Sequence, residues 1–440
     1  MAKTFREWNV DQAMLFPPAI EDSVPKDHLA YFVRDTVRDS LDLSEIFEAY
    51  TEERGYPPYH PTMMTALLLY SYCQGIYSLR RIAKAYVERL DFMAVTGMQK
   101  PDFRTIREFR RRHLKAIQGL FVQGLRLCQK AGLVRLGHVA LDGSKVKANA
   151  SKHKAMSYGR LKKAEVRLEA EVQGWLTQAG VVDLREDRQW GAECSGLEMP
   201  EWVATKEKRL AAIRKAKAEL EAEALAAAQA KAAKRRKKPP GEASPPETPS
   251  ATPKESAQRN FTDSESRIMK GPDGFVQGYN AQIAVDADSQ VIVAQGLTQK
   301  ANDVAQLAPM VTQIKRNTGR QARELSADSG YCSEENLRRL RKHHTRGYVA
   351  LGRPKRDQAL ADPKAAARQP LRQAMRRRLR QGGWRSRYRL RKQTVEPVFG
   401  QIKQARGFRQ FLLRGLEKVS AEWSLICTAH NFLKLAAVRF

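Results

Sequence analysis

Between residues 157 and 258 the chain interrupts itself. Leu161, Leu168, Val172 and Trp175 fall at heptad-like spacing, and Leu210, Ile213 and Leu220 repeat the rhythm after a break at 177–201. Such spacing predicts two helices packed as an antiparallel hairpin. The second helix runs into Lys234-Arg235-Arg236-Lys237-Lys238 and then into a segment with prolines at 239, 240, 245, 246, 249 and 253. That composition buries too little apolar surface to build a core and reads as a flexible linker. Strand-like sequence stands on both sides of the block. Any sheet must therefore be assembled from strands that this insertion separates.

On the N-terminal side, the apolar run beginning at His138 ends in Asp142-Gly143. It predicts a buried strand whose last residue presents a carboxylate at the sheet edge. On the C-terminal side, Tyr279 to Asp286 alternates, Ala287-Asp288-Ser289-Gln290 reads as a turn, and Val291 to Thr298 returns as the second arm of a hairpin. A helix is expected around 302–316. A short strand follows from Glu324, ending in Asp328-Ser329-Gly330. Ser333 is placed to cap the next helix, with Glu334 and Glu335 in its first turn and Arg338 to Lys342 at its end. Gly347 to Leu351 reads as a further strand. Residues 1–130 are expected to be mostly helical, broken by loops at 55–58 and 97–101. Within them Phe103 to His113 spells a basic amphipathic helix, either a solvated face or a DNA-contacting one.

Charge narrows the partners. Lys and Arg number 78 against 48 Asp and Glu, a formal +30. A field that positive favours polyanions, with nucleic acid ahead of an anionic membrane surface. No apolar run reaches 18 residues, and Met1 to Trp8 lack the apolar core of a signal peptide, so a cytoplasmic, nucleoid-associated protein with no membrane span is expected. The five cysteines are scattered and never spaced as C-x-x-C, and the eight histidines show no paired zinc spacing. This speaks against a disulfide framework or a structural zinc site.

The densest clue lies near the C-terminus. Positions 371–414 hold fourteen Lys or Arg and a single acid, Glu396. Cations so far beyond pairing needs suit a phosphate chain. A helix from about 387 to 405 would set Lys392, Glu396 and Lys403 on one face, with Phe399 and Gly400 between the last two. Pro397 is awkward inside such a helix and suggests a kink or restart there. Asp142 and Asp328 each close an expected strand and are followed by small residues. Three carboxylates drawn from strand, strand and helix are hard oxygen donors that suit a pair of Mg²⁺ ions. Trp384, amid Arg385, Arg387 and Arg389, could stack on an unpaired base or belong to the core.

These residues resemble the DDE transposases of bacterial insertion sequences over nearly the whole length. The resemblance rests on Leu141-Asp142-Gly143-Ser144-Lys145, on Tyr279-Asn-Ala-Gln through Val285-Asp286, on Ala327-Asp328-Ser329-Gly330-Tyr331, on Tyr388-x-x-Arg391 through Glu396 and Lys403, and on Tyr59-His60-Pro61 through Arg81. It implies an α/β fold: an RNase H-like mixed sheet flanked by helices, an N-terminal all-helical domain (1–130) that contacts DNA, and a catalytic domain (131–440) carrying the 157–258 insertion. It further implies the acidic triad Asp142, Asp328 and Glu396. Asp142 would be shared by two Mg²⁺ ions, for which Mn²⁺ can substitute, and the other two acids would each hold one. Tyr388, Arg391, Lys392 and Lys403 are the implied DNA contacts. Many relatives place Arg four residues before the Glu. Here Arg391 stands five before and Lys392 four before, which leaves open which of the two meets DNA.

The activity implied is metal-dependent cleavage of double-stranded DNA at element ends, followed by direct attack of the freed 3′-hydroxyl on target DNA, in a homodimer or higher oligomer. The hairpin would serve either that assembly or a DNA contact. Two other readings share the sequence: an RNase H-like nuclease that cuts without joining, and an inactive DNA-binding protein derived from a transposase.

Overall fold

The structure is a computed structural model that describes residues 19–51, 57–190, 201–236, 252–271, 274–352 and 369–439. Most of the proline-rich segment, Cys194 and the first eight residues lie outside the described residues, as do Gly55 and Tyr56. Among the described residues, six helices of two turns or more come first: α1 (Leu29–Ser40), α2 (Pro61–Cys73), α3 (Leu79–Glu88), α4 (Leu90–Thr96), α5 (Phe103–Arg112) and α6 (Leu114–Lys130). Pro61 starts α2, where a missing amide costs nothing. Nearly every residue of α2 is buried, so it runs through the middle of the helical region, not along its surface. Asp102 caps α5 by accepting the Thr105 amide.

A mixed sheet follows. Its strands are β1 (His138–Lys147), β4 (Arg267–Gly271), β5 (Gly274–Asp286), β6 (Ile292–Thr298), β7 (Glu324–Ala327) and β8 (Arg346–Val349). The order is β4-β5-β1-β7-β8, with β6 pairing the later part of β5 on the same side as β4. β1 runs antiparallel to β5 and parallel to β7, and β7 parallel to β8. Helices α9 (Leu307–Thr318), α10 (Glu334–Lys342), α11 (Pro370–Gly382), α12 (Leu390–Gly400) and α13 (Leu416–Arg439) complete the domain. The expected mixed sheet flanked by helices, preceded by an all-helical stretch, is therefore what the chain forms. The hairpin of β5 and β6 and the Ser333 cap, which accepts the Asn336 amide, are formed as the sequence suggests.

The insertion hangs from a two-stranded neck. β2 (Ala155–Ser157) pairs antiparallel with β3 (Gln258–Asn260), closing the base of α7 (Tyr158–Trp190) and α8 (Glu201–Arg236). Leu161 and Leu168 pack with Leu210, Ile213 and Leu220 in a small core separate from the main one. Ion pairs from Glu165 to Lys217 and from Glu171 to Lys206 run in opposite sequence directions, which makes the hairpin antiparallel. Trp175, expected in the seam, is only half-buried.

One hydrophobic core joins the opening helices to the sheet. Its joint is α13, whose Trp423, Ile426, Cys427 and Phe432 are fully buried. α13 packs on α6 and α2 on one side and on β6 on the other. Asn431 accepts the Ile292 amide at 2.8 Å and donates to the Ile292 carbonyl at 2.9 Å, replacing a strand neighbour at the β6 edge. Among the described residues no helix is long and apolar enough to cross a membrane, and Cys73, Cys128, Cys332 and Cys427 are free thiols.

The β1–β5 pairing fixes where Asp142 lies, and it depends on Gly278, which pairs with Lys147. A Cβ there would collide with the Val146 carbonyl oxygen. Gly278→Ala should therefore destabilise the protein by roughly 1–3 kcal/mol, read by denaturant unfolding. An unchanged midpoint would mean the two strands approach less closely than described.

Candidate active site

The site begins with strand register. Leu141 on β1 pairs with Ala327 on β7, the last paired residues of two parallel strands. One step further along each strand stand Asp142 and Asp328, so the two carboxylates leave the sheet side by side. The sequence reading placed Asp142 at a strand end, and this is corrected here: β1 continues to Lys147 because its antiparallel partner β5 is the longer strand. Asp142 marks where β7 stops, not where β1 does. Asp328 does end its strand. It caps the following turn of 3₁₀ helix, its Oδ1 accepting the Gly330 amide at 2.9 Å.

Glu396 arrives on α12. The expected continuous helix over 387–405 is three pieces: a 3₁₀ turn (Arg387–Arg389), α12 itself, and a π-helical turn (Gln401–Ala405). The helix does not restart at Pro397 but runs through it. Its missing amide leaves the Gln393 carbonyl without the usual partner, and the Gln290 side-chain amide donates to that oxygen at 3.4 Å. The irregularity falls one turn later, as the π turn. The proposed single face of Lys392, Glu396 and Lys403 does not survive either. Phe399 is buried and stacks on Trp423 with ring centroids 6.5 Å apart, Lys392 and Glu396 are exposed, and the π turn directs Lys403 onto β1. There the Lys403 ammonium donates to Ser144 Oγ at 2.5 Å and to the Lys145 carbonyl at 2.9 Å.

Arg391 links two of the three acids. Its Nη1 donates to Asp142 Oδ2 at 2.6 Å, and its Nη2 lies 3.4 Å from Glu396 Oε1. Of the two basic residues before Glu396, it is Arg391 that turns into the acid pocket while Lys392 stays at the surface. Tyr388 lies within hydrogen-bonding reach of the same guanidinium. The turn carrying Tyr388 is pinned to β7 by an ion pair between Arg387 and Glu324, and Glu324 also meets His138 across the strands at 3.2 Å. Trp384 lies in the short turn Gly383–Arg385, and its side chain lies outside the described residues.

The electrostatics match this geometry. Burial pushes the Asp142 carboxyl up to about 6. Arg391 acts against that, while Asp328 and Asp303 add to it. A guanidinium at 2.6 Å thus does not fully offset burial beside two other acids. Asp328 is raised as well, by burial and by Asp303. Burial also lowers the Lys403 ammonium below the ordinary lysine range, with Lys145 adding to the effect.

Asp303 is the acid that the sequence reading missed. It sits in the loop before α9, where its Oδ1 accepts the side-chain amides of Asn280 at 2.6 Å and Gln282 at 2.7 Å. Both amides lie on fully buried positions of β5. Two buried amides on alternate strand positions require an acceptor nearby, and that requirement was the available signal.

Among the described residues, no three of His, Cys, Asp and Glu form a group that could hold a metal ion. As placed, Asp142 and Glu396 are bridged by a guanidinium instead. The chemistry of the donors nonetheless suits a hard divalent cation: carboxylate oxygens, two of them on half-buried residues and held above the usual carboxylate range, which a second positive charge would relieve.

Comparison with known families accords with this arrangement. The transposase DDE domain family model matches residues 247–432, which include Asp328 and Glu396. A second transposase domain family model matches residues 18–112, in the opening helices. The chain belongs to the DDE transposases of insertion elements. Asp142 lies outside both matches and joins the site through strand register. No curated protein and no solved structure matches the transposase. The family acts on DNA and generally uses divalent metal ions.

The raised Asp142 gives the metal-free transposase a signed pH dependence. Its folded pKa of about 6 exceeds the ordinary 3.8, so the proton favours the fold. The stability contributed is fully present below the unfolded value and is lost as pH rises through the folded one. Relative to Asp142→Asn, the wild-type chain should lose up to roughly 3 kcal/mol between about pH 4 and pH 7. Denaturant titrations across that range measure it, and a difference independent of pH would refute the shift.

Proposed function

We propose that this transposase cleaves phosphodiester bonds at the ends of its element and joins the freed strands to target DNA, with Asp142, Asp328 and Glu396 holding two Mg²⁺ ions, for which Mn²⁺ can substitute. The observation that supports this reading is the pairing of Leu141 with Ala327, which leaves Asp142 and Asp328 as neighbours at the start of a pocket closed by α12. Bound Mg²⁺ would supply Lewis-acid activation of water or a 3′-hydroxyl and stabilise the leaving oxygen. Ionised carboxylates accept only, so the three acids bind cations and leave phosphate to the basic groups around them.

Arg391 is the basic residue nearest the scissile position. In the DNA-free chain its guanidinium pairs with Asp142. With cations held by the acids, the same fork suits a phosphate oxygen pair. Lys392, exposed on α12, suits the DNA backbone further out, as do Arg376, Arg377 and Arg380 on α11. Lys403 acts closer in, bracing the π turn against β1, and Tyr388 orients Arg391. The helices up to residue 130 contribute further DNA contacts through the basic end of α5, Arg110 excepted because it is buried. Transposition must hold two element ends at once, so the working form is a homodimer or a higher oligomer on DNA, acting in the cytoplasm on the nucleoid.

Asp142→Asn, Asp328→Asn and Glu396→Gln should each reduce cleavage and strand transfer by roughly a hundredfold or more while DNA is still bound. The substrate is a duplex carrying the ends that flank the gene. Supplying precut ends separates the alternatives. Hydrolysis without joining would identify a nuclease, and binding without either reaction an inactive derivative.

The surface position of Lys392 has its own expected outcome. Lys392→Ala should weaken binding equally across DNA sequences and reduce the slope of log affinity against log salt by about 1. A slope unchanged within error would remove Lys392 from the DNA path.

A further inference from the structure

Asp303 is not used by the reading above, yet its surroundings are built around it. Its two oxygens are treated differently. Oδ1 takes every bond the protein gives: the Asn280 amide at 2.6 Å, the Gln282 amide at 2.7 Å, and the Lys145 ammonium at 3.7 Å. Oδ2 is turned the other way, towards Asp328. A Cβ built on Gly330 would stand 3.3 Å from Asp303 Oδ2 and 3.1 Å from Asp328 Oδ1, so both oxygens face the same small space beside that glycine. A Cβ on Gly143, the residue after Asp142, would collide with the Gln282 amide and stand 2.9 Å from Asp303 Oδ1. The two glycines that follow the two catalytic-strand aspartates thus leave room for the same side chain.

A second observation lies on the Oδ1 side of the same carboxylate, next to Gly143. Asn280 is fully buried, and its Oδ1 has no hydrogen-bond partner, although it lies 3.0 Å from the position a Gly143 Cβ would take. An orphaned buried acceptor beside a carboxylate with one oxygen free is an arrangement that a cation, or a water bound to one, would satisfy. The Gln282 side chain is meanwhile fixed from behind. Its Oε1 accepts the hydroxyl of Tyr331, which is fully buried three residues after Asp328. Asn280, Gln282 and Tyr331 therefore form a rigid back wall, and Asp303 is the charged group it presents.

We infer that Asp303 is a fourth carboxylate of the cation pocket, anchored through Oδ1 by β5 and offering Oδ2 beside Asp328. This rests on the reading of Asp142 and Asp328 as cation-holding residues. It extends that reading to the loop before α9 and gives a role to the two buried amides of β5. The pocket then carries four acids against Arg391 and Lys145, and divalent charge balances it better than the guanidinium alone.

The test uses the full chain without DNA, titrated with Mn²⁺ alone, the free ion being counted by electron paramagnetic resonance. Asp303→Asn keeps the Oδ1 acceptor for both amides and removes the charge. Its Mn²⁺ dissociation constant should rise about tenfold to a hundredfold, with the metal-free thermal midpoint unchanged, and Asp303→Glu should restore part of the affinity. Asp328→Asn, run beside it, separates the two levels of the argument. If Asp328→Asn weakens Mn²⁺ binding and Asp303→Asn does not, Asp303 is only a structural acceptor and the inference fails alone. If neither variant changes Mn²⁺ binding, the cation-holding reading of Asp328 fails and Asp303 falls with it. Should Asp303→Asn not fold, Asp303→Ser, which retains an oxygen for the Asn280 amide, is read by the same criteria.

Discussion

Two carboxylates set side by side in a partly buried pocket repel each other and lose hydration together, and this fold has to hold them there. The parallel register of β1 and β7 forces the juxtaposition, since Leu141 and Ala327 are paired and the next residue on each strand is an aspartate. Much of the surrounding architecture answers that one constraint. Arg391 brings a guanidinium to Asp142 from a helix over a hundred positions beyond β1. The Arg387–Glu324 ion pair pins the turn before that helix to the strand carrying Asp328. Lys403 clasps the far end of the same helix to Ser144 and Lys145, on the strand carrying Asp142. The helix is thus tied at both ends to the two strands whose charges it must meet.

The compensation is incomplete. Asp142 remains well above the usual carboxylate range even with a guanidinium 2.6 Å away. A site fully neutralised by its own side chains would have no reason to bind a cation, whereas this one keeps an unmet demand for positive charge. The excess of basic residues in 371–414 does not supply it, because most of them point to solvent, where a phosphate backbone can reach them. Inner and outer charges therefore lie at different depths: acids inside, most of the cations at the surface.

What could be read from the sequence was what local pattern encodes. Alternation marked β5 and β6, heptad spacing marked the hairpin, and Ser333 with its following acids marked a helix start. Each signal is carried by neighbours within a few residues. The features that escaped depend on distant partners. The apolar run stops at Asp142 and so suggests a strand end there, yet β5 is long enough to hold β1 to Lys147, and the buried Val146 between Lys145 and Lys147 continues the alternation. Pro397 suggested a break in its helix, but a glutamine from the β5–β6 turn satisfies the carbonyl it orphans. Asp303 lies in a polar loop with no periodicity of its own. Only the two amides of β5, whose burial depends on the finished sheet, give it meaning.

The two stretches that match transposase families, 18–112 and 247–432, are far apart in the chain yet share one core through α13. A Cβ on Gly124 of α6 would stand 3.0 Å from the Phe432 ring, so even the smallest side chain at that crossing is constrained from the other half. Recombination between relatives cannot trade the front of such a protein while keeping its back. A chimaera that imports new opening helices must import a matching α13 as well, so these two segments are bound to change together.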